Sequence, residues 1–216
     1  MLITQMTPKG KAKTIVEIDG DRTIVLPNQD LARYDIREGE EIPEEHWQAL
    51  LTELDTQARR KCTGLLKDRD YTEKELERKL LAAGYPEEAL QTALDAVRGA
   101  GLVDDRRYAS EYLQYHAADR SRLRLKADLE QKGISSSVLE EVFADWEAQQ
   151  GEEIRRGEIR RICHLLEKRG YDPETFGQEQ TQKLIRFLQG KGYTYEVIRA
   201  AMRFVGEEIV SDEGIS

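Results

Sequence analysis

The residues able to do acid–base, thiol or metal chemistry are sparse in this chain, and their spacing supports none of it. His46, His116 and His164 are isolated from one another. Cys62 and Cys163 lie far apart, with no Cys-x-x-Cys pair and no histidine cluster to complete a zinc site. Cys163 and His164 are neighbours on a helical stretch, so their side chains diverge. No glycine-rich phosphate loop and no strained nucleophile turn occurs. The adjacent carboxylates Asp104 and Asp105 have no third ligand. They read instead as the cap of a helix beginning near Arg106, where an acidic side chain opposes the positive helix end and contributes about 0.5 to 2 kcal/mol. The sequence therefore assigns no catalytic residue, no cofactor and no metal, and both thiols are expected to be buried.

Chemistry of association is better represented. Arg120, Arg122, Arg124 and Lys126 alternate along the start of one helix. Arg155, Arg156, Arg160 and Arg161 crowd another, with Glu158 the one acid among them. The spacing puts Arg156 and Arg160 on one face with Arg155 beside them. Such runs are either solvated surface or contacts to an acidic partner. Arg59, Arg60 and Lys61 form a weaker third group. Tyr112 and Tyr115, three apart on one helix, and Tyr195 are candidate anchors of an interface, because binding energy concentrates in Tyr, Trp and Arg. Packing within the fold is the other role open to them.

Charge weighs against nucleic acid as the main partner. The chain of 216 residues carries a net charge of −9, with 33 Lys and Arg against 42 Asp and Glu. Residues 1–59 hold 7 bases and 12 acids, and the rest of the excess lies after Gly206, leaving 26 of each over residues 60–206. Tight binding through phosphate neutralisation needs a surplus of cations that this span lacks.

Several elements must position these groups. Charged residues make up 35% and aromatics 7% of the chain, the balance of solvated helical surfaces. No stretch nears the ~20 apolar residues of a membrane span, and the N-terminus lacks the basic-then-apolar pattern of a secretion signal. A cytoplasmic address is expected. The first segment alone is β-rich: runs 13–18 and 21–26 flank Asp19-Gly20, the strongest short hairpin signal, and residues 2–6 offer a third strand. Pro27 stops the second run, Asn28 is placed to cap a short helix over residues 29–34, and Gly39 marks a turn before a longer helix starting at Pro43. Trp47 is expected to pack that helix on the β segment.

Beyond Pro43 the chain repeats itself. Superimposing Gly84, Gly133 and Gly192 aligns Leu76, Leu125 and Leu184 eight positions before the glycine, and Leu80, Leu129 and Leu188 four before it. Tyr85, Ile134 and Tyr193 follow at once. Leu90, Leu139 and Ile198 stand six after the glycine, and Val97, Trp146 and Val205 thirteen after. These offsets predict a helix ending at a left-handed glycine, then a second helix packing back. Thr72 with Glu75 forms a capping box, Ser121 stands as far before its glycine as Thr72 does, and Ser135 and Thr194 cap the helices that follow. Leu65-Leu66 after Cys62 matches Leu165-Leu166 after Cys163, giving each unit a preceding helix, with residues 108–115 in that role in the second. The third unit carries an insertion around residues 172–180. A single unit of this size buries too little surface to stand alone, and stacking joins the apolar faces.

Residues 101–112 (GLVDDRRYASEY), with 75–85 (ELERKLLAAGY) and 125–134 (LKADLEQKGI), resemble the RecX family of bacterial regulators over residues 60–206. The resemblance implies a mainly α protein of three tandem three-helix repeats in an elongated, curved array, here with a small N-terminal β-hairpin appendage. The expected layout is a β-rich appendage over 1–42, repeats over 43–105, 106–148 and 149–206, and an acidic disordered tail over 207–216. The resemblance further implies a non-enzymatic regulator, acting in recombination and DNA repair, that lies in the groove of the RecA recombinase filament and hinders its ATPase, strand exchange and growth. The expected partner is that filament, with weak DNA contact as an accessory, no membrane, and a monomeric state. The alternative is a DNA-binding helical module that sets its arginine clusters on phosphates.

Overall fold

The structure, a computed structural model, describes residues 1–206 in full and the backbone alone of 207–213. The acidic tail expected over 207–216 lies outside the fully described residues. Two compact units divide the chain at Tyr108 and Ala109.

The first unit opens with a three-stranded antiparallel sheet in the order β1 (Ile3–Lys9), β2 (Lys13–Ile18), β3 (Arg22–Pro27). Asp19 and Gly20 both hold positive φ, 53° and 79°, as a type I′ connection requires. Alternation along β2 sends Val16 and Ile18 inward, where they meet Ile24 and Leu26 of β3. Helix α1 (Asn28–Arg33) follows directly on Pro27, which takes the N-cap position. Asn28 does not cap it. Its Oδ1 accepts from the Thr14 hydroxyl at 3.0 Å, so the side chain ties the helix start to β2. Helix α2 (Glu44–Asp68) then serves two cores. Trp47, Leu50 and Leu54 pack on the sheet, as expected for Trp47, while Ala58 and Cys62 join the apolar faces of α3 (Glu73–Ala83) and α4 (Glu87–Gly99).

The capping box at Thr72 is formed, the hydroxyl accepting from Glu75 N–H and the Glu75 carboxylate from Thr72 N–H, both at 3.2 Å. Asp104 accepts from Arg107 N–H at 2.9 Å and so caps helix α5 (Asp105–His116). Asp105 has a different task. It accepts from Glu73 N–H at 2.9 Å and locks the start of α3. Burial pushes its carboxyl above the usual aspartate range, against the pull of that backbone hydrogen bond. Gly84 holds φ 87°, and its carbonyl accepts from Val25 N–H of β3 at 2.9 Å, so the hinge of the first repeat lies against the sheet. Burial raises the Cys62 thiol, which is inert in this setting.

The second unit begins within α5 and continues with α6 (Arg122–Gln131), α7 (Ser136–Glu167), α8 (Gln178–Gly190) and α9 (Tyr195–Glu213). Gly133 and Gly192 stand at φ 90° and 88°, the same left-handed conformation as Gly84. The side chains aligned on them are buried: Leu125, Leu129, Leu139 and Trp146 in one repeat, Leu184, Leu188, Tyr193 and Ile198 in the other. Ser121, Ser135 and Thr194 accept from the N–H three residues on, at 3.3 to 3.4 Å. Helix α7 is a single rod of 32 residues, and the boundary drawn between residues 148 and 149 falls inside it. Its first half closes the second repeat through Trp146, and its second half opens the third through Ile162 and Leu166. Cys163 is only half buried, with its Sγ 3.8 Å from the Ala201 carbonyl. The insertion after Tyr171 is a compact turn, in which Asp172 accepts from Glu174 N–H and the Thr175 hydroxyl while Tyr171 and Phe176 meet edge to face.

Candidate functional site

The two arginine clusters lie on α6 and α7, within the second unit. The start of α6 is assembled from three parts of the chain. Ser121 accepts from Arg124 N–H at 3.3 Å and donates to the Lys191 carbonyl at 2.9 Å. The buried Glu158 carboxylate of α7 accepts from Arg122 N–H at 3.0 Å. A helix start attracts negative charge, and here the protein's own carboxylate occupies that position. Gly192 packs so closely on this corner that a Cβ there would come 2.5 Å from Ser121 Oγ.

Several arginines are spent on internal contacts. Arg120 and Arg124 grip one nearly buried carboxylate, Asp128, at 2.6 and 3.0 Å. Arg120 also donates to the Tyr112 hydroxyl, which bonds Asp128 in turn at 3.4 Å. Tyr112 is accordingly turned inward, its ring against His116 with centroids 4.3 Å apart. Burial and the neighbouring Asp128 push its phenol above the usual tyrosine range, outweighing Arg120 and Lys132. Arg122 pairs with Glu147, Lys126 approaches Glu130 at 4.0 Å, and Arg155 pairs with Glu196 at 2.8 Å. Arg161 is half buried and donates to the carbonyls of Ala117, Ala118 and Arg120, at 2.8, 2.7 and 3.3 Å. It clamps the turn that joins α5 to α6.

Arg156 and Arg160 are exposed and form no ion pair with a described residue. Tyr115 and Tyr195 are exposed as well, at 78% and 54%.

Packing α7 against the start of α6 and the end of α8 leaves a cleft of about 770 Å³. Both clusters contribute to it: Arg120 and Arg124 from one, Arg160 and Arg161 from the other, with Lys191 at the end of α8. Asp119 is the one carboxylate in the lining, and Leu123, Ala127, Leu165 and Tyr193 supply an apolar wall. Lys191 and Tyr193 have no signal in the sequence beyond flanking the third repeat glycine. Among the described residues no three His, Cys, Asp or Glu side chains stand together as metal ligands, and no helix is long and apolar enough to cross a membrane.

Comparison with known proteins matches three three-helix domains. Residues 58–95 match the first, 104–142 the second and 158–202 the third three-helix domain of RecX. A protein of Trichlorobacter lovleyi called regulatory protein RecX is 32% identical over 142 residues, spanning 62% of this chain and 86% of its own. One of Vibrio vulnificus, also called regulatory protein RecX, is 30% identical over 64% of this chain and 86% of its own. The chain spans 60% of the length of a Clostridium perfringens relative, at 27% identity. In fold, a crystal structure of regulatory protein RecX superimposes with a TM-score of 0.61 over 92% of this chain and 98% of the other, at 20% identity. A RecX structure from Lactobacillus salivarius gives 0.60 over 70% and 96%, at 17% identity.

Proposed function

The chain belongs to the RecX family of regulatory proteins, and from that premise we propose that it binds the RecA recombinase filament and restrains it, limiting ATP hydrolysis, strand exchange and filament growth without chemistry of its own. In this reading the protein works as a monomer in the cytoplasm and acts on recombination and DNA repair through occupancy of the filament.

One observation supports association above the rest: cations from helices distant in sequence meet at a single cleft beside an apolar wall. Non-obligate interfaces combine an apolar centre with arginines and a polar rim. The competing DNA-binding reading draws less support. Of the eight cations in the two clusters, Arg120, Arg122, Arg124, Lys126 and Arg155 already stand against carboxylates of the same unit, which leaves fewer free cations for counterion release.

RecA ATPase on single-stranded DNA, followed as this protein is added, tests the proposal. Progressive inhibition together with co-sedimentation on the filament at moderate salt is expected. Unchanged ATPase and no binding would overturn it. Binding to bare single strands that collapses steeply with salt, without any effect on RecA, would favour the DNA module instead.

A further inference from the structure

We propose that the cleft of the second unit seats a short acidic segment of the partner protein, a carboxylate flanked by apolar side chains, rather than nucleic-acid phosphates. This inference rests on the filament-binding reading and specifies the surface and the chemistry that carry it.

Charge segregation is the first argument. Acids outnumber bases in this unit by 20 to 16, yet the cleft gathers five cationic side chains against one carboxylate. Their availability is uneven. Arg161 is committed to backbone carbonyls. Arg120 and Arg124 share the single carboxylate of Asp128, so the pair retains a net positive charge. Arg160 and Lys191 form no ion pair with a described residue, and Arg124 keeps 65% of its side chain exposed. Positive potential is therefore concentrated where Arg124, Arg160 and Lys191 surround a concavity large enough for several side chains.

The wall decides between occupants. Leu123 is 46% exposed, with its Cβ next to Gly192, and Leu165 and Ala127 continue the apolar surface. A carboxylate between aliphatic or aromatic neighbours satisfies cations and wall together. A phosphodiester leaves the wall uncovered. Phosphates also favour a vacant helix start, and Glu158 and Ser121 already fill that of α6. Single-stranded nucleic acid also draws on exposed Tyr, Trp or Phe faces beside the cations, whereas Tyr115 and Tyr195 are outside the cleft lining, Tyr193 is 7% exposed, and His164 is the one exposed ring in the lining.

The test uses the full chain, labelled with 15N, titrated with the peptide Glu-Leu-Asp-Phe-Glu, with its amide counterpart Gln-Leu-Asn-Phe-Gln, and with a thymidine oligonucleotide. Amide shifts at Leu123, Arg124 and 191–193 with the acidic peptide alone are expected. In parallel, Arg160→Glu with Lys191→Glu should weaken binding to the RecA filament about tenfold or more, and the milder Arg160→Gln with Lys191→Gln should weaken it in the same direction. Equal shifts with both peptides, or shifts at these amides with the oligonucleotide and none with the peptide, overturn the proposal. So does a folded charge-reversed variant that binds the filament like the parent. Failure of the parent chain to bind the filament at all would refute the filament reading, and the peptide titration would still decide the chemistry of the cleft.

Discussion

Replacing Gly84 with alanine tests the close approach that fixes the first repeat against its sheet. At φ 87° an L residue costs about 1 kcal/mol in left-handed strain alone. The added Cβ would overlap Val25 Cγ2 and Cβ and come 3.0 Å from Val25 N, so backbone as well as side chain must give way. Such overpacking costs about 1 to 3 kcal/mol. Moving β3 also loosens the 2.9 Å hydrogen bond from Val25 N–H to the Gly84 carbonyl, a loss of about 1 kcal/mol. The expected destabilisation is about 3 to 5 kcal/mol. Gly101→Ala is the matched control, because Gly101 holds φ 67° in the same unit with nothing within 4 Å of the new atom. It should cost only the strain, about 1 kcal/mol. Urea unfolding followed by circular dichroism measures both. A Gly84→Ala chain within about 1 kcal/mol of the Gly101→Ala chain would refute the reasoning.

Arg161→Met should destabilise the second unit by about 3 kcal/mol, because three carbonyls of the turn between α5 and α6 lose their donor, and Arg161→Lys should recover only part of it, since an ammonium lacks the planar fork; denaturant titrations of the two variants check this, and a Met variant as stable as the parent would contradict it. Burial holds the Asp105 carboxyl above the usual aspartate range, so the folded chain keeps its proton more tightly than the unfolded chain. Its contribution to stability therefore falls as pH rises from the ordinary aspartate range through the raised folded-state value, and the penalty is fully present above it. Asp105→Asn keeps an acceptor for Glu73 N–H and removes the charge, so it should be neutral or stabilising at pH 7 and should flatten that acid-side dependence; a clear loss of stability at pH 7 would count against burial as the cause.

Features fixed by local backbone demands were legible in the sequence. The left-handed glycines, the capping box at Thr72 and the caps at Ser121, Ser135 and Thr194 each depend on a few neighbouring residues, and each stands where its spacing puts it. Asn28 misled because its side chain had two ways to be satisfied, and Thr14 on β2, brought near by the sheet, took the place of the helix N–H. The arginine clusters were legible as charge but not as structure. Nothing along the chain tells Arg161, which clamps carbonyls of the turn between α5 and α6, from Arg160 beside it, which faces solvent. The meeting of both clusters at one cleft is a tertiary event. It depends on α7 lying across the start of α6 and on the Gly192 corner packing against Ser121, contacts between residues as many as 71 positions apart.

The unbroken run of α7 has a consequence for how such a chain is cut or inherited. The second and third repeats each own half of one rod, so neither is a detachable part. A gene truncated after codon 148 would keep Trp146 but leave its helix to fray where it had been continuous, and a fragment starting at codon 149 would present Ile162 and Leu166 from a helix without its cap at Ser135. Duplication or loss of one repeat at this seam would have to splice a helix in register.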